Sequence, residues 1–334
     1  ATVYGAIKGW LVAENKISWG FKEKIGIPFH SSGIFLCMID ELAGLDGTDA
    51  EELVTYYFPC PKDVVIFDTE RDYLNNSVLE FIKTPDYLIS DYPLEYIFIN
   101  PKKVKVKEVK SYLEGEHLIS YLKREKTEQL LLTDQSSFFL PEYKVGIKVD
   151  KQTKTAQEHY LYRLSMVRMN KNAALVTLVK GNLDFPDRGT ILLGGEGKAA
   201  KVESRVVSLF SKLEELNFDF KDGFFKIYLA TPALFKNGYL PSWIDRETLS
   251  GVYNGINLKL VACVLGKGIY LGGWNLTYQK PRSMCKAVPA GSIYVFKTVE
   301  DVSPEKIKET FHLKNISDID PYKGFGLSFV GEVF

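Results

Sequence analysis

The sequence predicts an α+β protein of two domains, and three observations support this prediction. The chain has 334 residues, of which 46% are hydrophobic, so it can bury more than one core. Its last third follows the strand and helix order of a βαββαβ unit. A stretch near the middle alternates apolar and polar residues on both sides of a polar tip, as a β-hairpin does.

The βαββαβ pattern identifies the final third as a ferredoxin-like unit. Residues 303–304, Ser-Pro, predict the start of its second helix, because Ser is a favoured N-cap and Pro fits the first helical position. Residue 241, a proline, is expected to open the first helix. The predicted elements are a strand at 224–231, a helix at 240–253, two strands within 260–296, a helix after 303 and a strand at 325–334.

Residues 260–296 predict two strands joined by a long basic loop. The loop contains Gly272-Gly273-Trp274-Asn275, followed by Lys280-Pro281-Arg282. Lys and Arg bind phosphate, aromatic faces stack on unpaired bases, and glycines allow close backbone approach. An RNA-binding loop is therefore one interpretation. An ordinary solvated hairpin is the other, and the residue types alone favour it.

Residues 143–169 predict a β-hairpin with an extended tip at residues 150–158. Apolar and aromatic residues alternate with polar ones on both sides of the tip. Lys151, Lys154, Tyr160 and Arg163 give it a basic, aromatic edge. The hairpin either contacts a partner or is a surface hairpin without one.

A glycine-rich stretch at residues 189–201 has the chemistry of a phosphate cradle. Gly194 and Gly195 expose backbone N–H groups, and Lys198 and Lys201 add positive charge. The stretch lacks the Gly-Lys-Ser/Thr of a Walker motif, and its spacing differs from a dinucleotide-binding fingerprint.

The first half of the chain also carries Lys8, a basic insertion and an acidic segment. Residues 2–12 predict a helix on which Lys8 projects away from Val3 and Ile7. Residues 102–110 contain five lysines among valines, which favours a lysine-guarded edge strand. Residues 40–52 collect six acids and predict a solvated loop.

The bulk composition restricts the class of protein. Lys and Arg together number 42, as do Asp and Glu, so the chain is either a binder with local basic patches or a subunit whose partners supply charge. The four cysteines are scattered and predict reduced thiols in a cytoplasmic protein. No apolar run is long enough to span a bilayer, and no membrane association is expected.

These motifs resemble one family of CRISPR proteins. Gly-Gly-Trp-Asn, Lys-Pro-Arg, Ala-Val-Pro-Ala-Gly-Ser-Ile-Tyr-Val-Phe and Leu-Gly-Gly-Glu are similar to signatures of the RAMP subunit of the type III-B (Cmr) effector complex, the Cmr subunit-three family. The resemblance implies two ferredoxin-like (RRM-like) domains. Residues 1–205 would form the first, with the basic insertion, the glycine-rich loop and the hairpin as a thumb that kinks the guide RNA. Residues 206–334 would form the second.

The function implied by the resemblance is non-catalytic. The subunit would bind the 5′ tag of the crRNA, dock the large Palm-domain subunit, and adjoin the backbone RAMP subunits, with indirect access to target RNA in antiviral defence. No cofactor or metal is expected. The residues predicted to bind RNA are Lys8, Lys151, Lys154, Tyr160, Arg163, Gly194, Gly195, Lys198, Lys201, Lys280 and Arg282.

Two other functions remain open at this point. Related RAMP proteins cleave guide precursors with a His base. Of the four histidines, only His159 is near the expected RNA path, and a lone His is more often structural or solvated. The second alternative is a scaffold subunit without RNA contact of its own.

Overall fold

The computed structural model describes residues 2–17, 29–39, 54–67, 76–88, 95–102, 104–125, 130–181, 183–195, 197–205, 207–275 and 279–333. The helices in these ranges are α1 (Thr2–Ala13), α2 (Gly115–Leu122), α3 (Ser208–Glu215) and α4 (Pro304–Phe311). The strands are β1 (His30–Ser31), β2 (Phe35–Ile39), β3 (Val54–Pro59), β4 (Val64–Phe67), β5 (Asn76–Val78), β6 (Glu80–Lys83), β7 (Tyr96–Ile99), β8 (Val106–Glu108), β9 (Ser111–Glu114), β10 (Leu132–Asp134), β11 (Phe139–Val149), β12 (Ala156–Met169), β13 (Ala173–Val176), β14 (Val179–Lys180), β15 (Arg188–Leu192), β16 (Ala199–Glu203), β17 (Phe224–Leu229), β18 (Ser250–Tyr253), β19 (Ile256–Val264), β20 (Ile269–Leu271), β21 (Trp274–Asn275), β22 (Lys280–Pro281), β23 (Cys285–Ala287), β24 (Ile293–Thr298), β25 (Lys314–Asn315) and β26 (Leu327–Gly331). The protein is mixed α and β with strands predominant, in agreement with the predicted α+β class.

The N-terminal half is built on a five-stranded antiparallel sheet in the order β10-β9-β3-β2-β13. Successive strand residues point to opposite faces, so both faces of this sheet can be buried. Phe35 and Phe58 face a large core that also includes residues of α2 and α3. Leu36 and Tyr57 face a smaller cluster on the other side, where Phe138 is fully buried.

The predicted hairpin at residues 143–169 is confirmed as β11 and β12, which form a two-stranded sheet among the described residues. We call residues 139–169 the thumb. Its two ends join β10 and β13, the opposite edges of the five-stranded sheet. Asn170 fixes the base, since its side-chain amide donates to the Ser136 and Ser137 carbonyls at 2.9 and 2.8 Å. The thumb therefore starts from a fixed base that covers one face of the sheet.

The C-terminal half is a six-stranded sheet in the order β18-β19-β24-β17-β26-β25. The four strands predicted for this region correspond to β17, β19, β24 and β26. The predicted second helix is α4, and the Ser303 hydroxyl accepts from the Lys306 N–H at 3.3 Å as its N-cap. Pro289 lies between β23 and β24, where it interrupts no ladder.

The predicted helix at residues 240–253 is wrong. Side-chain carboxylates take the backbone N–H groups there and so compete with a helix. Asp318 accepts from the Lys236 and Ser242 N–H groups at 2.9 and 3.0 Å, and Asp245 accepts from Thr248 at 2.8 Å. The segment ends in the edge strand β18.

The turn from β18 into β19 explains why this segment ends as a strand. Asn254 and Gly255 have φ of 48° and 77°, and Tyr253 pairs with Ile256 across them. A two-residue Asn-Gly turn with both φ angles positive is a strong hairpin signal. The hairpin outweighs the helical spacing of the apolar residues before it.

Helix α1 packs on the hairpin of β15 and β16. Trp10 and Ala6 share a buried cluster with Ile191 of β15. The other buried face of α1, with Val3 and Ile7, packs around Phe29. The predicted N-terminal helix is confirmed.

The two remaining sequence expectations for the first half have different outcomes. Within residues 102–110, β8 forms the edge of the three-stranded sheet β5-β4-β8, so the edge-strand interpretation is confirmed. The acidic residues 40–52 lie outside the described residues.

In the part of the chain that the structure covers, every helix is too short or too polar to cross a lipid bilayer. The domain boundary at 205/206 stays a prediction.

The two halves share one continuous core, and a buried polar group lies at their junction. The Tyr121 hydroxyl of α2 donates to both carboxylate oxygens of Asp63 at 2.7 Å. Lys226 of β17 donates to the Tyr121 carbonyl at 3.2 Å, and its ammonium lies 3.5 Å from the centre of the Tyr121 ring. Burial raises the pKa of Asp63 and lowers the pKa of Lys226 to about 8.

We expect Tyr121→Phe to lower the free energy of unfolding by about 2 kcal/mol, because it leaves a buried carboxyl group without its hydroxyl donor. The ring over Lys226 and the carbonyl that it contacts are kept. Chemical denaturation measures the change. Tyr87→Phe is the control, since Tyr87 is 86% exposed and its hydroxyl is in water. Equal stability of the two variants would contradict the structural role given to Asp63.

Candidate nucleic-acid interface

The glycine-rich stretch forms the loop between β15 and β16. Gly194 and Gly197 have φ of 89° and 66°, which side chains with a Cβ rarely adopt. The Leu193 N–H donates to the Lys198 carbonyl at 2.9 Å and closes the loop. An added Cβ at Gly194 or Gly195 would meet no atom within 4 Å, so the outer side of the loop is open. The stretch is a hairpin loop and not the N-terminus of a helix.

The structure brings Lys198 to the thumb. The Lys198 ammonium lies 2.8 Å from the Met166 sulfur of β12. It also helps to lower the pKa of Glu142, although the hydrogen bond from Arg168 to that carboxylate is the largest cause. Lys201 is exposed on the neighbouring β16, opposite Thr190. Lys198 therefore lies beside the thumb base, with Lys201 three residues further along the same hairpin, and we call this region the loop–thumb surface.

Lys8 lies on α1, which packs against the same β15–β16 hairpin. Its side chain is half-buried at the edge of the apolar face of the helix. Gly189 of β15 leaves room for the Trp10 ring, because an added Cβ would lie 2.6 Å from the Trp10 Nε1. This close packing places α1, and Lys8 with it, on the unit that carries the glycine-rich loop.

The predicted thumb residues are all exposed, and two basic side chains of the thumb lie over aromatic rings. The Arg163 guanidinium is 3.9 Å from the centre of the Tyr143 ring. The Lys148 ammonium is 4.4 Å from the centre of the Tyr160 ring. Lys151 and Lys154 lie in the tip. These pairs hold positive charge along the strands without neutralising it, as cation–π contacts do.

The thumb also exposes an unusual amount of apolar surface. The large apolar or aromatic side chains that are more than a third exposed on it are Leu140, Tyr143, Val145, Ile147, Val149, Tyr160, Leu161, Tyr162, Leu164 and Val167. A two-stranded hairpin is marginally stable by itself. Apolar residues on both faces of such a hairpin are typical of a surface that is covered in an assembly.

Lys280 and Arg282 lie on a second projection, the C-terminal hairpin, which we define as residues 266–275 and 279–287. Its strands pair as β20 with β23 and β21 with β22. The Arg282 N–H donates to the Gly273 carbonyl at 2.8 Å. The two predicted flanking strands are confirmed as β19 and β24, whereas the predicted long loop between them is a hairpin of short paired strands. The RNA-binding role of the predicted residues stays a prediction.

One charge pattern around this hairpin was missed by motif reading. No Asp or Glu occurs between Glu247 and Glu300, whereas six Lys or Arg residues do. The whole chain carries equal numbers of acids and bases, so this segment is locally basic in a neutral protein. Counting acids along the sequence would have found it. The same count draws attention to Tyr270 and Trp274, whose side chains are 67% and 56% exposed.

His312 is a structural residue. Its Nε2 donates to the Leu213 carbonyl at 2.9 Å, and its Nδ1 accepts from the Val330 N–H at 3.2 Å, so the ring is neutral with the proton on Nε2. Burial lowers the pKa of His312 to about 4. His30 and His159 are exposed and His117 is half-buried. His159 lies in β12 near the thumb tip.

The described residues contain no candidate metal site, and two of the cysteine thiols are unreactive near neutral pH. Within them, no group of three or more His, Cys, Asp or Glu side chains is placed to hold a metal ion. All four cysteines are free thiols. Burial raises the pKa of Cys37 and Cys263 to about 11, which keeps both protonated and unreactive near neutral pH.

Comparison with known proteins gives a family match. The model of the family described as CRISPR-associated protein (Cas_Cmr3) matches residues 11–333. No curated protein matches the chain.

Several solved structures are similar at low identity. A chain in a cryo-EM structure of the Type III-B Cmr-beta bound to cognate target RNA and AMPPnP is 15% identical, with a TM-score of 0.43, and the match covers 88% of this chain and 76% of that one. A chain in the Cmr-beta structure bound to cognate target RNA is 15% identical, with a TM-score of 0.41 and coverage of 92% and 80%. A chain of the Csm3-Csm4 subcomplex of the type III-A CRISPR-Cas interference complex is 16% identical, with a TM-score of 0.36 and coverage of 90% and 88%.

The environment of His312 predicts a loss of stability in acid. The pKa is about 4 in the folded state and 6.5 is the ordinary value, so between these values the unfolded chain binds a proton that the folded chain excludes. The stability that His312 contributes is complete above pH 6.5 and is lost as the pH falls toward 4. The slope is at most about 1.4 kcal/mol per pH unit.

Chemical denaturation of the wild type and His312→Gln at a series of pH values tests this prediction. Gln keeps a donor near the Leu213 carbonyl but does not titrate. We expect the free energy of unfolding of the wild type to fall more steeply with acid than that of the variant. Parallel curves would contradict the prediction.

Proposed function

Since the chain belongs to the Cas_Cmr3 family of CRISPR-associated proteins, we propose that it is a non-catalytic subunit of a type III-B (Cmr) RNA-guided effector complex. In this proposal it binds the 5′ tag of the crRNA and docks the large Palm-domain subunit. Backbone RAMP subunits adjoin it along the guide, and target RNA is reached through that guide. The biological role is antiviral defence.

The observation that carries the proposal is the contact between Lys198 and Met166. It unites two features that are far apart in sequence, the glycine-rich loop and the thumb. An RNA strand that follows the loop–thumb surface would meet open glycine backbone at Gly194 and Gly195 and the ammonium groups of Lys198 and Lys201. Backbone amides and lysines at this spacing bind successive phosphates without reading bases.

The C-terminal hairpin supplies a second basic surface. Lys280 lies in its outer pair of strands and Arg282 directly follows that pair, in a segment that carries six basic residues and no acid. Local charge of this kind attracts a polyanion even though the whole chain is neutral. We propose that this second basic surface binds phosphates of the same RNA.

The proposal includes a specific fold for each half of the chain. We assign a ferredoxin-like (RRM-like) origin to both halves, with the boundary at 205/206. The strand order β19-β24-β17-β26 supports it for the C-terminal half, because it is the order of the four strands in a βαββαβ sheet. An irregular segment replaces the first crossover helix.

The non-catalytic assignment rests on the chemistry of the named groups. Both ring nitrogens of His312 are engaged with backbone groups, so it cannot act as a base. Open glycine loops and lysines bind RNA in its ground state, and equal binding of ground state and transition state accelerates no reaction. His159 is the one histidine on the thumb, and it is the residue on which the endoribonuclease alternative depends.

We expect two double variants, Lys198→Ala/Lys201→Ala and Lys280→Ala/Arg282→Ala, to weaken binding of single-stranded RNA by the purified full-length chain. Each phosphate contact that is lost should flatten the slope of log affinity against log salt by about 0.7. Fluorescence anisotropy at several salt concentrations measures both quantities.

The control is Lys236→Ala, because Lys236 is exposed in the C-terminal half outside both surfaces. It should leave the slope unchanged. If neither double variant changes affinity or slope, these residues do not contact RNA. If the wild type itself does not bind RNA, the scaffold alternative is correct.

We expect the purified chain to cleave neither a repeat RNA nor a target RNA. General acid–base cleavage requires a base within reach of the 2′-hydroxyl and an acid at the leaving oxygen, and the named residues supply no such pair. Labelled RNA incubated with and without Mg²⁺ or Mn²⁺ tests this expectation. Specific cleavage that is lost in His159→Ala would establish the endoribonuclease alternative.

A further inference from the structure

The C-terminal hairpin presents two large aromatic side chains to solvent. Tyr270 and Trp274 are 67% and 56% exposed, and Met284, between β22 and β23, is 63% exposed. Each exposed ring leaves apolar area in contact with water, and the rest of this half is well packed, with Phe296 and Tyr294 almost fully buried. Exposed apolar side chains that are grouped on one short hairpin indicate a binding surface.

Strand pairing places these side chains on one face. Tyr270 pairs with Lys286 and Leu271 with Cys285, whereas Trp274 pairs with Pro281. The shift in register puts the extra residue on the 281–285 side, so residues 270–274 alternate regularly. Tyr270, Gly272 and Trp274 therefore share one face, and the Cα atoms of the two aromatic residues are about 13 Å apart.

Gly272 makes the space between the two rings into a slot. It has no side chain, and a Cβ at this position would collide with the Met284 sulfur. The Met284 side chain therefore lies directly against the backbone between the rings. Gly272 and Met284 therefore form an exposed surface between the two rings, with Tyr270 at one end and Trp274 at the other.

The charges around the slot favour one kind of occupant. Lys286 is the cross-strand neighbour of Tyr270, and Arg282 is bonded through its backbone to Gly273, next to Trp274. Lys280 follows on β22, and no acidic residue occurs between Glu247 and Glu300. A neutral apolar partner would make no use of this local positive charge. An unpaired stretch of RNA supplies flat apolar bases and phosphates together.

We propose that this face stacks unpaired bases of single-stranded RNA on Trp274 and Tyr270, with the intervening base over Gly272 and Met284. The proposal rests on the RNA-binding function given above and specifies which part of the RNA this surface holds. The loop–thumb surface binds phosphates, whereas the C-terminal hairpin binds base faces in addition to phosphates. Because every base has a face that can stack, the hairpin tolerates any sequence at the nucleotides that it holds.

The test compares an unmodified single-stranded RNA with the same RNA carrying abasic sites along its length. The abasic RNA keeps the phosphates but removes the stacking partners. Purified full-length wild type, Trp274→Leu, Trp274→Phe and Tyr270→Leu are titrated with both RNAs by fluorescence anisotropy. Leu keeps apolar bulk without an aromatic face, and Phe keeps an aromatic ring. Tyr87→Leu is the control for loss of an exposed ring elsewhere, since Tyr87 is 86% exposed.

We expect Trp274→Leu to weaken binding of unmodified RNA about tenfold with no change in salt slope, and Tyr270→Leu to weaken it by a smaller factor. Trp274→Phe should keep most of the affinity. Binding of the abasic RNA should be weaker for the wild type and equal in wild type and Leu variants.

Three outcomes separate this inference from the function that it rests on. If the wild type binds both RNAs equally, or Trp274→Leu equals the wild type, stacking is wrong while salt-dependent RNA binding stands. If Trp274→Leu and Trp274→Phe weaken binding equally, the loss reflects packing of the hairpin and stacking is again wrong. If the wild type binds neither RNA, the proposed function and this inference both fail.

Discussion

The ammonium group of Lys226 projects from the middle of the large C-terminal sheet and ends in the interior, beside Tyr121 and Asp63 of the other half. A buried charge is tolerated only where polar groups surround it, and these groups come from α2 and from the turn after β3. Any rotation of one half against the other would separate the ammonium from these partners. The shared apolar core supplies most of the burial energy, and this polar contact fixes the relative orientation of the halves.

That orientation determines where the two basic projections lie. The end of β3 and the turn after it each contact the C-terminal half: the Tyr228 hydroxyl donates to the Pro59 carbonyl at 2.6 Å, and the Lys62 N–H donates to the Gly291 carbonyl at 2.8 Å. The C-terminal hairpin leaves the sheet next to Gly291. The thumb leaves the opposite half from the ends of β10 and β13. A nucleic acid that contacts both would follow a path set by the packing of the core.

Sequence reasoning predicted the parts whose cause is local. Alternation and a polar tip predicted the thumb, and Ser303-Pro304 predicted the start of α4, because a strand face and a helix cap are decided within a few residues. It failed at residues 240–253, where Asp318 from the distant chain takes the Ser242 N–H and the Asn254-Gly255 turn imposes a strand. The nearness of Lys198 to Met166 also could not be predicted, since it depends on how two hairpins pack. The sequence therefore predicted which residue types belong to the candidate site, but it could not predict which of them lie close together in the folded chain.

Among the described residues no third strand pairs with either edge of the thumb, and many of its exposed side chains are apolar. Such a ribbon is prone to pair edge to edge with another copy of itself. Lys144 and Lys148 along β11, with Arg163 along β12, place positive charge at intervals on both strands. Like charges on two approaching ribbons repel, so these cations protect the unassembled chain from aggregation as well as facing any polyanion. A variant that neutralises them would lose solubility before its affinity could be judged, and selection on these positions would act on the free subunit as much as on the complex.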